Sequence, residues 1–171
     1  FRTDDYFESE LAWMDLEGTP IEVAIGPYEV YTDRLYGTKT AFESFVTLKD
    51  PQASAALARY KGYLRDMEAN LPIPEEHKNF QRGFASPIAV ADQVSGGGDN
   101  TVGPQTIAFN LPNDERVREA KGAKKVILAN VLGAKYERIL TPIGQVVLEP
   151  QQAALVAKSY MQNITLFHEL S

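Results

Sequence analysis

From Pro20 the sequence adopts a period of two: Ile21, Val23 and Ile25 alternate with Glu22 and Ala24, and after Gly26-Pro27 the run from Tyr28 to Asp33 resumes the pattern. Successive side chains of a strand point to opposite faces. The stretch therefore predicts two strands joined as a hairpin at Gly26-Pro27, with Glu29, Tyr31 and Asp33 sharing one face of the second. Ala41 to Leu48 is expected to be a third strand. Further strand candidates follow at Phe84 to Val94, where Pro87 suggests an edge, and at Ile107 to Leu111, Lys125 to Leu132, Tyr136 to Leu140 and Gln145 to Leu148. The run Ser95-Gly96-Gly97-Gly98-Asp99-Asn100 reads as a flexible turn. Strands that come in runs, without strict exchange with helices, give the α+β class, here with an antiparallel or mixed sheet curled into a small β-barrel and flanked by helices.

The helices announce themselves by caps. Phe7, Leu11 and Met14 recur at helical spacing within Arg2 to Glu17. Asp50-Pro51 starts a second helix, because Asp caps free amides and Pro at the first position lacks one. Its apolar face is Ala53, Leu57, Tyr60, Leu64 and Met67, and Asn70 to Pro74 ends it. Asn113 or Asp114 caps a helical turn that Gly122 closes. Pro150 is expected to open the final helix, with Val156, Tyr160, Ile164 and Phe167 along one stripe.

A chain of 171 residues with 44% hydrophobic residues is within the range of one compact domain. No stretch reaches the roughly 18 apolar residues of a membrane span. A net charge of −6 argues against a nucleic-acid partner, which needs clustered positive charge. The absence of cysteine excludes disulfides, a cysteine nucleophile and thiolate metal sites, and leaves the compartment open between cytoplasm and export. Phe1 is not an initiator methionine, and the sequence reaches Ser171 inside a helical pattern without a terminal cap. These ends lead us to expect an excised fragment, divided into a barrel-containing lobe over 1–149 and, over 150–171, the start of a helix belonging to a second lobe.

Several motifs carry little chemistry. Gly96 to Gly98 lacks the Gly-Lys-Ser/Thr continuation and the helix that a phosphate loop requires. Gly37 and Glu43 have the spacing that opens a Nudix box, yet Pro51 stands where that motif needs Arg. His77 has no second histidine near it and reads as a solvated residue, and the Asn163-Ile164-Thr165 sequon lies in a helix. His168-Glu169 is different. In H-E-x-x-H, two imidazoles one helical turn apart hold zinc while the carboxylate takes a proton from water, and this chain supplies the first half.

Three further blocks give that pair a context. Glu29-Val30-Tyr31-Thr32-Asp33-Arg34-Leu35-Tyr36-Gly37, continuing to Ala41-Phe42-Glu43-Ser44-Phe45-Val46, resembles the E-x-Y-x-D-x-x-x-G and F-E-x-F-V segments of the dipeptidyl-peptidase III family of zinc metallopeptidases. Gly103-Pro104 followed by Asn110-Leu111-Pro112-Asn113-Asp114 is similar to that family's N-[IL]-P-N-[YD]-D segment, Lys125 to Leu132 to the stretch after it, and His168-Glu169-Leu170 to its H-E-L-L-G-H. The blocks keep the family's order and spacing from about Gly26 to Ser171. Ser171 replaces the second Leu of the motif, which suits a divergent bacterial branch.

The resemblance implies a peptidase that releases dipeptides from short peptides bound between two lobes. His168 would be a zinc ligand and Glu169 the general base. Glu29, Asn110 and Asn113 would hold the peptide's α-amino group and first backbone units, and Tyr31 would donate a hydrogen bond to the scissile carbonyl as it becomes an oxyanion. By the same resemblance Zn2+ belongs to the full-length protein, and this chain alone is expected to hold none and to be inactive. In the other reading, Tyr31 packs in a core, the asparagines make only turn and cap bonds, and the chain is a peptide-binding or structural module with an idle His-Glu pair.

Overall fold

The computed structural model describes residues 3–33, 35, 37–80 and 88–170, with the backbone alone at 3, 29–33, 38–40, 61 and 170. Helix α1 (Thr3–Met14) precedes a long antiparallel pair, β1 (Ile21–Asp33) and β2 (Gly37–Asp50). Next come α2 (Pro51–Ala58), a 3₁₀ segment (Arg59–Tyr63) and α3 (Leu64–Ala69). After β3 (Ile88–Gly98) the order is β4 (Ala108–Leu111), α4 (Glu115–Lys121), β5 (Lys124–Leu128) and α5 (Ala129–Lys135). A π-helical turn (Tyr136–Leu140) leads into α6 (Thr141–Val147), α7 (Pro150–Ala153) and α8 (Lys158–Leu170). The strands form one mixed sheet in the order β1-β2-β3-β5-β4, parallel only between β3 and β5. The α+β class is therefore as the sequence implied, with the sheet curled into a half-barrel whose edges are β1 and β4.

Two apolar clusters sandwich the sheet. Ala24, Phe45, Ala91, Phe109, Leu111, Val126 and Leu128 fill the concave side, with Trp13 and Tyr28 against them. Ile88, Ile127, Leu132 and Leu166 form the second cluster, against which Leu57, Tyr60 and Leu64 of the α2 to α3 segment pack. Strand β5 contributes to both, which explains why Val126, Ile127 and Leu128 read as an unbroken apolar run.

The structure corrects several local expectations. Gly26-Pro27 is no hairpin turn: β1 runs through it, and the register shifts between Gly26 and Glu29 as in a bulge. The glycine run is strand, with Gly96, Gly97 and Gly98 paired to Phe45, Ser44 and Glu43. Glycine is needed there for close approach, since Gly98 has φ +67° and a Cβ on it would collide with the Phe42 carbonyl. The expected edge strand at 84–94 is interior over its described part, because β3 lies between β2 and β5, while 84–87 lie outside the described residues. Tyr136 to Leu140 and Gln145 to Leu148 are not strands; no turn residue follows Lys135, so the chain continues helically from α5 through Val147. Pro150 opens only the short α7, and the last helix begins at Lys158.

The alternation in β1 is inverted. Ile21, Val23 and Ile25 are 56%, 49% and 53% exposed, whereas Glu22 is 6% exposed. Two lysines make this burial tolerable: Lys49 Nζ lies 2.5 Å from Glu22 Oε2 and Lys124 Nζ 3.1 Å from Oε1. Lys124 also donates to the main-chain carbonyls of Trp13 and Leu16 at 2.7 and 3.0 Å, capping the end of α1 and fixing it to β5. Its ammonium stands 4.6 Å from the Trp13 ring.

Candidate functional site

Where the half-barrel fails to close, both edge strands contribute to one cleft of about 230 Å³. Its walls are Tyr28 from β1, Glu43 and Phe45 from β2, residues of the segment from Thr106 to Asn113, and His168 and Glu169 from α8. Four of the six residues singled out from sequence, Asn110, Asn113, His168 and Glu169, thus line the same cavity. The side chains of the other two, Glu29 and Tyr31, lie outside the described residues. Their backbones are in β1, paired with Ala41 and Lys39.

Each described side chain is aimed by its element. In β4, Phe109 and Leu111 turn into the concave core, so alternation sends Ala108 and Asn110 to the other face. Asn110 stands opposite Lys125 of β5. Its Oδ1 is buried and has no hydrogen-bond partner among the described residues. Beyond the cis Leu111-Pro112 peptide, Asn113 donates from Nδ2 to the Tyr28 carbonyl at 2.6 Å. Asp114 then caps α4, accepting from the Arg116 amide at 2.9 Å, and Gly122 ends that helix. Capping falls to Asp114, which leaves Asn113 to bridge β1 and β4.

Helix α8 is held by Leu166, 2% exposed in the second apolar cluster, and contacts β4 and β5. Glu169 lies one turn on, on the same face, and is 9% exposed, while His168 is an exposed residue of the cleft wall. Of the expected apolar stripe, Tyr160 and Ile164 face outward, 61% and 72% exposed, whereas the Phe167 ring meets that of Tyr60 edge-on with centroids 6.2 Å apart. Burial pushes the Glu169 carboxyl above the usual carboxylate range, opposed by the His168 and Lys125 charges. Lys125 is pushed down by its own burial and drawn back by Glu169.

Sequence reasoning missed Tyr28, Glu43, Phe45 and Thr106 as cleft residues. Glu43 was within reach, because it falls in the F-E-x-F-V block and shares a β2 face with Phe45. Tyr28 stacks on Phe45 with ring centroids 6.2 Å apart, a contact that only the folded sheet creates. Among the described residues no three His, Cys, Asp or Glu side chains group closely enough to hold a metal ion. A catalytic zinc needs three protein ligands, of which the sequence reading offered His168 alone, and the described residues do not by themselves make up a metal site. No helix among them is long and apolar enough to cross a membrane.

The model of Peptidase family M49 matches residues 2–170. A protein of Arabidopsis thaliana named Nudix hydrolase 3 is 39% identical over 169 residues, covering 99% of this chain and 22% of that protein. Dipeptidyl peptidase 3 of Homo sapiens is 29% identical over 127 residues, covering 72% of this chain and 16% of that protein. The solved structure of DPP III from Caldithrix abyssi superposes with a TM-score of 0.84 at 56% identity, covering 98% of this chain and 32% of that one. The structure of dipeptidyl-peptidase III from Corallococcus sp. strain EGB gives 0.84 at 41% identity, covering 98% and 31%. The chain thus spans from about a sixth to a third of the length of these relatives.

Proposed function

The chain belongs to peptidase family M49, and from that premise we propose that it forms the substrate-holding wall of a zinc-dependent peptidase that releases dipeptides from the amino ends of short peptides. The observation that carries this reading is the convergence of Asn110, Asn113, His168 and Glu169 on one cleft, although nearly 60 residues separate the two pairs in sequence. In the proposed division, 1–149 is the lobe carrying the sheet and 150–171 the beginning of the zinc-binding helix of a second lobe.

Glu29, Asn110 and Asn113 are assigned to the peptide's amino end. A carboxylate and two carboxamides offer acceptor oxygens to an ammonium, and the amides also donate to the first carbonyls. The Oδ1 of Asn110, which has no partner among the described residues, supports this, because a buried acceptor without a donor is costly until a ligand supplies one. Glu169 is assigned the general base: its carboxylate takes a proton, and burial beside the cleft raises its proton affinity. Tyr31 is assigned to the scissile carbonyl oxygen. Zinc, when bound, supplies a Lewis acid and an acidified water, with His168 among its ligands.

The test uses the full-length parent with its metal and two hexapeptides, one with a free amino terminus and one acetylated. Mass spectrometry should find a dipeptide and a tetrapeptide from the first and no cleavage of the second. Cleavage of both, or of neither, would remove the assignment. The same experiment decides against an idle peptide-binding module.

A further inference from the structure

Asn110 is not alone in the cleft wall in carrying a buried polar atom with no hydrogen-bond partner among the described residues. Thr106 lines the cleft, and its Oγ1 is buried with no hydrogen-bond partner among the described residues. The backbone around it is pinned on both sides. Lys135 Nζ donates to the Gln105 carbonyl, and the Leu128 amide to the Ile107 carbonyl at 2.8 Å. The hydroxyl is therefore held in place by its neighbours while no described residue makes its hydrogen bond, the situation of a group that is satisfied by a ligand.

We propose that Thr106 is a substrate-contacting residue that hydrogen-bonds the peptide beyond the scissile bond. The inference rests on the reading above and extends it to the departing half of the substrate. Thr106 lies two residues before the start of β4 and lines the same cleft as Ala108 and Asn110, and four residues at roughly 3.3 Å each put it at most about 13 Å from Asn110. With the peptide's ammonium at Asn110 and Asn113, the bond after the second residue lies about 7 Å along it. The span to Thr106 then reaches the third or fourth residue, which leaves with the product. A hydroxyl both donates and accepts, so it recognises peptide backbone there whatever the side chain.

The experiment compares the full-length parent with Thr106→Val and Thr106→Ser on an alanine hexapeptide and on a dipeptidyl arylamide, in which an aromatic amine replaces everything beyond the cleaved bond. Loss of one neutral hydrogen bond should lower kcat/KM for the hexapeptide about 3- to 10-fold in Thr106→Val. The arylamide should change by less than about twofold, and Thr106→Ser should restore hexapeptide turnover. The melting temperature of Thr106→Val should be unchanged or raised, because a buried unsatisfied hydroxyl has been removed. Equal losses on both substrates, no loss on the hexapeptide, or a lowered melting temperature would each overturn the assignment. Should the unmodified parent fail to release dipeptides, the reading above falls, which is distinguishable from a parent that releases them with Thr106→Val unimpaired.

Discussion

The side-chain amide of Asn113 donates to the main-chain carbonyl of Tyr28 at 2.6 Å, joining positions 85 residues apart. β1 and β4 are the two edges of the sheet and share no ladder, so this bond bridges the gap at which the cleft opens. The next residue after Tyr28 is Glu29, whose backbone resumes pairing with β2 after the bulge. Asn113 thus fixes the spacing between the strand carrying Glu29 and Tyr31 and the segment carrying Asn110.

Asn113→Asp should expose that dependence, because a carboxylate cannot donate to a carbonyl. We expect a stability loss of about 1 kcal/mol by urea denaturation, the worth of one hydrogen bond. In the full-length parent, kcat/KM should fall by more than about tenfold, since a misplacement near 1 Å can cost up to about 10² in rate. Unchanged kcat/KM would show that the bridge does not position substrate.

Glu169→Gln in the full-length parent should lower kcat by a factor of about 10² to 10⁴ while zinc content stays near one per chain. The side chain is inside the cleft and beside, not among, the proposed metal ligands. Activity within about tenfold of the parent would exclude Glu169 as the base.

The 171-residue chain on its own should not retain zinc. His168 is the one ligand proposed within this chain, no three donors cluster among the described residues, and catalytic zinc takes three protein ligands. Equilibrium dialysis with metal analysis should return well under one zinc per chain; stoichiometric binding below micromolar concentration would mean that the site is misidentified.

What was legible in the sequence was local chemistry. Asp50 caps the helix it was expected to begin, and of the two candidates Asn113 and Asp114 it is Asp114 that caps α4, accepting from Ala53 and Arg116 amides respectively, because a cap needs only its own neighbours. His168, Glu169, Asn110 and Asn113 were recognisable as a set through motif order. Features decided by distant partners were not legible. Glu22 is turned inward by Lys49 and Lys124, against the rule that apolar residues take the buried face. Glycines 96–98 read as a turn because nothing local reveals that β2 lies against them. Apolar β-branched residues at Ile139, Ile143, Val146 and Val147 mimic strand, yet they follow α5 without a break and are exposed on a helical segment.

Lys124→Met should destabilise the chain by on the order of 3 kcal/mol, the cost of removing one partner from a buried charged network. The substitution strips a donor from Glu22 and from the carbonyls of Trp13 and Leu16 together. Lys49 still faces Glu22, so the loss should stop short of unfolding. Chemical denaturation measures it, and a loss below about 1 kcal/mol would place the anchoring of α1 elsewhere.

The final prediction concerns Glu10, 6% exposed, which accepts a 2.6 Å hydrogen bond from the Tyr6 hydroxyl on Oε1. Its Oε2 is buried with no hydrogen-bond partner among the described residues. Burial raises its pKa above the ordinary carboxyl value of 4.5, the Tyr6 hydroxyl pulls it down in part, and the Asp114 charge adds to the rise. The folded chain therefore binds the Glu10 proton more tightly than the unfolded chain. Between 4.5 and the raised value the native state carries more protons, so stability falls as pH rises through that window and stays lower above it. Tyr6 and Tyr28 do not titrate there, because burial pushes both phenols upward from 10. Glu10→Gln keeps an acceptor for Tyr6 and removes the ionisation. Its stability relative to the parent chain should rise as pH increases above 4.5 and then level, as read by urea midpoints at each pH. A difference that is flat across this range, or that runs the other way, would mean that Glu10 is not held in its neutral form by the fold.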